Sequence, residues 1–173
     1  LGNADSDECQ ILRKFAKYLG LAFQLQDDLL DLRSDEMSFG KAIGQDVIEG
    51  KKTLMMILAL EMAESPKDRE LINRFFKLNG LPKECVPQIQ EMMNRLQIYR
   101  LTEDKIHLYG ELAANALLSL SNNRQIQYLE YLTHSVLNRK KCFKKKNRLH
   151  QYDKECKLLL ICLLGIILRP FVI

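Results

Sequence analysis

Three features of the 173-residue sequence predict an all-α fold. Apolar residues recur at steps of three and four along most of the chain, the period of a helix with one buried face. No stretch shows the β-branched, two-residue alternation of a half-buried strand. Eight Gly and four Pro are too few for a collagen-like or low-complexity chain and leave long uninterrupted segments for helices. At 47% apolar and 28% charged residues the composition is that of a globular domain, and this length supports one core rather than two large ones.

The elements follow in order. A first helix is expected over about residues 7–32, with Leu12, Phe15, Leu19, Ala22, Phe23, Leu29 and Leu30 on its apolar stripe. Asp5 or Ser6 is placed to cap it, and the small Gly20 and Ala22 permit a neighbouring helix to come close. Residues 33–50 break the period with Ser34, Gly40, Gly44 and Gly50 among charges. They read as an ordered loop with one helical turn, and loops this long in compact domains often serve function. A helix over about 51–63 follows; Leu54, Met55, Met56, Leu58, Ala59 and Leu60 make it apolar on most sides, so a central position is expected. Ser65-Pro66 ends it. A short helix over 68–78 stops at Asn79-Gly80, and another runs from 83 or 84 to 97. Thr102 is placed to cap the next, which continues to Leu120 before Ser121-Asn122-Asn123. A last periodic helix covers 124–139. Packed antiparallel or crossing helices form a bundle.

Charge is unevenly distributed. The net charge is +4, but residues 139–173 hold ten Lys or Arg against two Asp or Glu, which leaves residues 1–138 at −4. The body is therefore mildly acidic, and global basicity gives no argument for nucleic-acid binding. The five cysteines, Cys9, Cys85, Cys142, Cys156 and Cys162, are odd in number and lack CxxC spacing. That excludes a disulfide framework or zinc site as the organising feature and points to a reducing, cytoplasmic setting. His107, His134 and His150 share no ligand spacing. No run of about 18 or more apolar residues marks a membrane span. The opening Leu1-Gly2-Asn3-Ala4 has no Met and no leader pattern, and is expected to be an incomplete start.

The informative stretch is Phe23-Gln24-Leu25-Gln26-Asp27-Asp28-Leu29-Leu30-Asp31. On a helix, Asp27 and Asp31 stand one turn apart, Asp28 and Asp31 share a side, and Gln24 lies one turn before Asp28. Carboxylates this close repel one another, more so if the neighbouring Leu and Phe bury the face. A divalent cation relieves the repulsion, and Mg²⁺ in particular takes few protein oxygens together with substrate phosphates and water. The spacing is wrong for an EF-hand. Alone, the cluster is also what a solvated acidic turn near a helix end looks like. The following loop changes the reading: Lys41, Asp46, Lys51 and Lys52 lie among its glycines. Acids that gather metal, beside lysines and backbone N–H groups that reach oxyanions, make a diphosphate site.

FQLQDDLLD (23–31) followed by FGKAIGQDVIEGKKT (39–53) resembles the second aspartate-rich region of the trans-type isoprenyl (polyprenyl) diphosphate synthases, whose pattern is FQxxDDxxD, a gap, GK, four residues, D, then GKxT. The match is complete, including Gly40-Lys41, Asp46, Gly50-Lys51 and Thr53. The resemblance covers residues 1–141 as the C-terminal part of the catalytic domain, closing on a helix with a basic end. It implies a partial isoprenoid synthase-type helical bundle. It also implies a prenyltransferase that condenses an allylic diphosphate with isopentenyl diphosphate in isoprenoid biosynthesis, with Mg²⁺ as cofactor and a homodimer as the full-length assembly. Residue by residue, it makes Asp27 the main metal carboxylate, with Asp31 assisting and Asp28 in the same network. Lys41 and Lys51 bind the allylic diphosphate from two sides, so that Asp27, Asp31 and Lys41 carry the catalytic step. Phe23 and Gln24 line the reacting end of the allyl chain. Asp46 is a structural acid or one that supports the metal carboxylates from behind, and Lys52 and Thr53 are supporting groups.

Two departures stand beside the match. The family's first DDxxD motif, on a facing helix, does not occur; the single DDxxD here is 27–31. The expectation is a fragment that is inactive alone, with a non-catalytic partner subunit of a heteromeric synthase as the alternative. A terpene cyclase relative is a further reading, which the GK…D…GKxT loop disfavours. Residues 142–173, basic and then apolar over 158–168, extend past the family's usual end. They read as out-of-frame or intron-derived translation, or as a contact with an anionic membrane surface. Without interleaved aromatic residues they do not read as an RNA tract.

Overall fold

The structure is a computed structural model and describes residues 5–33, 43–120 and 124–138. Among these the regular elements are all helical: α1 (Ser6–Arg33), α2 (Gln45–Ile48), α3 (Leu54–Met62), α4 (Pro66–Leu78), a 3₁₀ turn (Lys83–Cys85), α5 (Val86–Arg95), α6 (Ile98–Leu117) and α7 (Arg124–Leu137). No helix among the described residues is long and apolar enough to cross a membrane. Residues 142–173, and with them the expectations for the tail, lie outside the described residues. The chain divides into two compact units, residues 1–24 with 106–173 and residues 25–105; α1 and α6 each run through both.

In the first unit α1 starts at a reciprocal cap. Asp5 Oδ1 accepts hydrogen bonds from the N–H groups of Asp7 (2.9 Å) and Glu8 (2.8 Å), while Glu8 Oε2 accepts from the Asp5 N–H at 3.2 Å. Three donors that the helix itself leaves open are thereby satisfied, and of the two expected caps Asp5 is the one used. The buried side chains are Phe15, Ala16, Leu19 and Ala22 of α1, Ile106, Ala113 and Leu117 of α6, and Ile126, Leu132 and Val136 of α7. Tyr18 and Tyr109 stack with ring centroids 6.3 Å apart. A Cβ on Gly110 would stand 2.5 Å from Leu137 Cδ2, so α6 meets α7 where it lacks a side chain.

In the second unit several helix ends differ from those predicted, each for a local reason. α3 begins at Leu54 rather than Lys51 because Thr53 is its N-cap, its Oγ1 accepting from the Met56 N–H at 3.4 Å. Lys51 and Lys52 therefore lie before the helix. α4 begins at Pro66, not Asp68: Ser65 caps it, accepting from the Asp68 N–H at 3.1 Å, and proline at the first position forfeits no hydrogen bond. α4 stops at Asn79, which adopts the left-handed conformation at φ 57°. Thr102 does not cap α6. It lies a turn inside the helix, fully buried, and its hydroxyl donates back to the Ile98 carbonyl at 2.8 Å. The chain turns instead at Gln97, whose φ is 56°.

α3 packs against α4 and α5. Met55 and Met56 of α3 and Met92 and Met93 of α5 are all buried, unbranched side chains suited to filling irregular space between helices. Ile72 and Phe75 of α4 are also enclosed; each such side chain contributes about 1.5–3 kcal/mol when removed from water. The expected central position of α3 is not what the described residues give: Ile57 and Leu60 remain 42% and 44% exposed. Ile57 and Leu60 stand on a side of α3 left uncovered among the described residues.

Candidate functional site

The site is built where the loop after α1 returns to the helix that precedes it. Asp31 holds this return twice. Its carbonyl accepts from the Gly44 N–H at 3.0 Å, and its Oδ2 accepts from the Asp46 N–H at 3.0 Å. The single turn of α2 buries Val47, whose carbonyl accepts from the Leu81 N–H at 3.1 Å. Two glycines make the path passable. Gly44 has φ 70°, and a Cβ there would lie 2.6 Å from Val86 Cγ1; Gly50 has φ 72°, and a Cβ there would lie 2.1 Å from the Asn79 carbonyl oxygen. Both need the left-handed backbone and the missing side chain. After Gly50 the Lys51 N–H donates to the Asp46 carbonyl at 2.8 Å, which closes the loop.

Lys51 is thereby placed between two carboxylates. Its Nζ lies 2.7 Å from Asp28 Oδ1 and 3.0 Å from Asp46 Oδ2. Asp28 is only 5% exposed, on the same inward side of α1 as Leu25, Leu29 and Leu32. A carboxylate there needs a charged partner to offset its lost hydration. Burial pulls the Lys51 ammonium towards neutrality, but the hydrogen bonds with Asp28 and Asp46 outweigh it and hold its pKa above the ordinary lysine value. Its side chain nevertheless stays 45% exposed. Burial raises the carboxyl of Asp31, opposed by the N–H of Asp46. Burial also raises Asp46, opposed by Lys51.

The structure brings together Asp28, Asp31, Asp46 and Lys51 of the residues singled out in the sequence. Asp27 is half-buried on the same helical turn. Phe23, half-buried, and Gln24, exposed, lie one turn earlier on α1. Lys52 is exposed, and Thr53 is a buried cap. Lys41 lies outside the described residues. Within the motif Asp28 meets Lys51, while Asp31 meets the Asp46 backbone. Accordingly, no three His, Cys, Asp or Glu side chains among the described residues are grouped to hold a metal ion. The donor set still fits a hard cation supplied with further ligands. Asp27, Asp28, Asp31 and Asp46 outnumber the Lys51 charge among them, and burial of Asp31 and Asp46 disfavours their anionic forms. Mg²⁺ is commonly held by one or two carboxylates, with phosphate and water completing its shell.

Sequence reasoning missed how the end of α1 is held. Gln90 Nε2 donates to the Leu32 carbonyl at 2.7 Å, Arg33 pairs with Glu103, and the Arg33 guanidinium lies 5.8 Å from the centroid of the Tyr99 ring. These partners stand 58 or more residues away in the chain, and no local pattern announces them. The polar hollow they border, about 570 Å³ and lined also by Asn94 and Arg100, contains none of the motif residues.

Residues 1–96 match the family model described as Polyprenyl synthetase. A short chain isoprenyl diphosphate synthase of Methanothermobacter thermautotrophicus is 50% identical over 70 residues, which cover 40% of this chain and 21% of the relative. An all-trans-nonaprenyl-diphosphate synthase (geranyl-diphosphate specific) of Rhodobacter capsulatus is 37% identical over 131 residues, 74% of this chain and 38% of its own. Among solved structures, a decaprenyl diphosphate synthase from Rhodobacter capsulatus superposes with a TM-score of 0.71 at 27% identity, over 82% of this chain and 43% of that one. A polyprenyl synthase from Caulobacter crescentus, complexed with calcium and isoprenyl diphosphate, gives 0.69 at 29% identity, over 80% and 42%. The chain thus spans less than half the length of these relatives.

Proposed function

Because the chain belongs to the polyprenyl synthetase family and has its all-α isoprenoid synthase fold, we propose that it forms the diphosphate-binding wall of a prenyltransferase. The reaction joins an allylic diphosphate to isopentenyl diphosphate in isoprenoid biosynthesis. The observation that carries this reading is Lys51: its ammonium is fixed by Asp28 and Asp46 while its side chain stays 45% exposed, on a loop clamped to the aspartate-rich helix. A cation fixed in advance is what a diphosphate needs, since its charge requires no reorganisation when the substrate arrives.

In the proposed mechanism the allylic C–O bond breaks and its electron pair leaves with the diphosphate. Lys51 and Lys41 hold that group as negative charge builds on it. Asp27 and Asp31 would hold Mg²⁺, which supplies further positive charge to the departing diphosphate. The double bond of isopentenyl diphosphate attacks the allylic carbon, a C–C bond forms, and a proton passes to the released diphosphate. Apolar walls around the allylic carbon keep water from the cation. No Ser, Cys or His nucleophile is needed.

Calorimetric titration of the chain with inorganic diphosphate tests the wall directly. Binding is expected with Mg²⁺ present, sharply reduced without it, and weakened in Lys51→Ala. Binding that ignores both Mg²⁺ and Lys51 would overturn the reading.

A further inference from the structure

The DDxxD motif divides by helix face, and the division gives its second aspartate a distinct role. Asp28 lies inward with Leu25, Leu29 and Leu32 and is 5% exposed, whereas Asp27 and Asp31, one turn apart, are each half-buried. An inward carboxylate is poorly placed to share an ion that must also meet phosphate and water. The same carboxylate lies 2.7 Å from Lys51 Nζ, and Asp46 approaches that nitrogen from the loop at 3.0 Å. Asp46 is itself fixed, since its N–H donates to Asp31 Oδ2 at 3.0 Å and its carbonyl accepts from the Lys51 N–H at 2.8 Å. A four-carbon lysine stem is otherwise free to sweep a wide arc, with a large rotamer entropy to lose on binding. Two carboxylates on different elements remove most of that freedom before any ligand arrives.

We propose that Asp28 and Asp46 are positioning residues that seat the Lys51 ammonium for diphosphate, and that Asp28 acts through Lys51 rather than as a metal ligand. This rests on the diphosphate reading above for its functional half. The seat itself exists in the free chain and is open to measurement there.

Lysine side-chain NMR of the full chain reports the seat without any ligand. The Lys51 ammonium signal is assigned by its loss in Lys51→Ala. It should show restricted motion in the wild type and become as mobile as surface lysines in Asp28→Asn. Asp46→Asn, at a more exposed position, provides the same readout if Asp28→Asn does not fold. A Lys51 already mobile in the wild type, or unmoved in Asp46→Asn and any folded Asp28→Asn, overturns the seat. Titration with inorganic diphosphate and Mg²⁺ then tests the role. Lys51→Ala and Asp28→Asn should each weaken binding roughly 10–100-fold, and the double variant no more than Lys51→Ala alone. A full additional loss from Asp28→Asn in the Lys51→Ala background would make Asp28 a ligand in its own right and overturn the positioning role. A wild type that holds Lys51 rigidly yet binds no diphosphate overturns the diphosphate reading and leaves the seat standing.

Discussion

At the scale of single residues, the carboxylates of the second unit are used in two opposite ways, and pH separates them. Asp68 is 5% exposed; the Ser65 hydroxyl donates to it at 2.6 Å and Arg95 Nη2 reaches both its oxygens at 2.7 and 2.9 Å. These partners, Ser65 first, outweigh burial and lower its pKa. A lowered carboxyl contributes stability that is fully present above the unfolded value, about 3.9, and is lost as pH falls through the folded value. Urea unfolding followed by circular dichroism should therefore show Asp68→Ala destabilised by about 1–3 kcal/mol at pH 7, with the deficit shrinking below pH 4. A deficit that persists undiminished at pH 2 would assign the effect to packing instead. Asp31 has the opposite sign. Burial raises its carboxyl, so its ionised form detracts from stability at neutral pH, and the penalty is relieved as pH falls through the raised folded value. Asp31→Asn keeps an oxygen for the Asp46 N–H and removes the charge. Its unfolding free energy at pH 7 should equal that of the wild type or exceed it by up to about 1 kcal/mol, while Mg²⁺-dependent diphosphate binding is lost. A variant both less stable and still binding would show that Asp31 serves the fold alone. The sequence made this site legible because the aspartates and lysines fall in one contiguous stretch. It did not disclose that Asp28 faces inward, since the step from Asp27 to Asp28 looks like mere repetition until the helix is turned against Leu25 and Leu32.

At the scale of elements, the sequence located the helices well and their first turns poorly. Leu12, Phe15 and Leu19 fix the phase of α1 whatever its exact ends. The start of a helix depends instead on which nearby hydroxyl or carboxylate takes the free N–H groups. Thr53, Ser65 and Thr102 are all plausible caps by residue type. Thr53 and Ser65 serve, and Thr102 is swallowed by a helix that begins at Ile98 because Gln97 can adopt φ 56°. The cap at Thr53 bears on the proposed site, since it ends the loop immediately after Lys51 and Lys52. The same loop depends on Gly50, where a Cβ would be 2.1 Å from a main-chain oxygen that no rotamer change can move. Gly50→Ala should therefore destabilise the chain by about 1–3 kcal/mol or more, from the left-handed backbone together with the clash. Because the displaced segment carries Lys51, diphosphate affinity should fall in the fraction that remains folded. Thermal unfolding and calorimetry on the same sample separate the two effects. Wild-type stability in Gly50→Ala would mean that the segments 48–51 and 79–81 are not in contact in solution.

At the scale of the whole molecule, the proposed diphosphate-binding wall raises the question of what it does by itself. The chain spans 43% of the decaprenyl diphosphate synthase it superposes on, and DDxxD occurs in it once. Ionising an allylic diphosphate requires charge stabilisation on the leaving group and a dry cleft around the carbon. In the proposed reading Lys51 and the aspartates address the first requirement. The second needs walls on every side of the reacting carbon. Any cation formed on an open wall meets water before it meets isopentenyl diphosphate, so the chain alone should bind diphosphate with Mg²⁺ and form no prenyl product. A chimaera that joins residues 1–138 to the complementary part of the Rhodobacter capsulatus decaprenyl diphosphate synthase supplies the remaining walls. That chimaera should elongate an allylic diphosphate, and Asp27→Ala within it should lower the rate ~10²-fold or more while the protein remains folded by circular dichroism. Product formation by the 173-residue chain would overturn the requirement for an enclosed cleft. A folded chimaera that binds both diphosphates and stays inert would show that these residues have kept the site's binding chemistry without the alignment that ionisation demands.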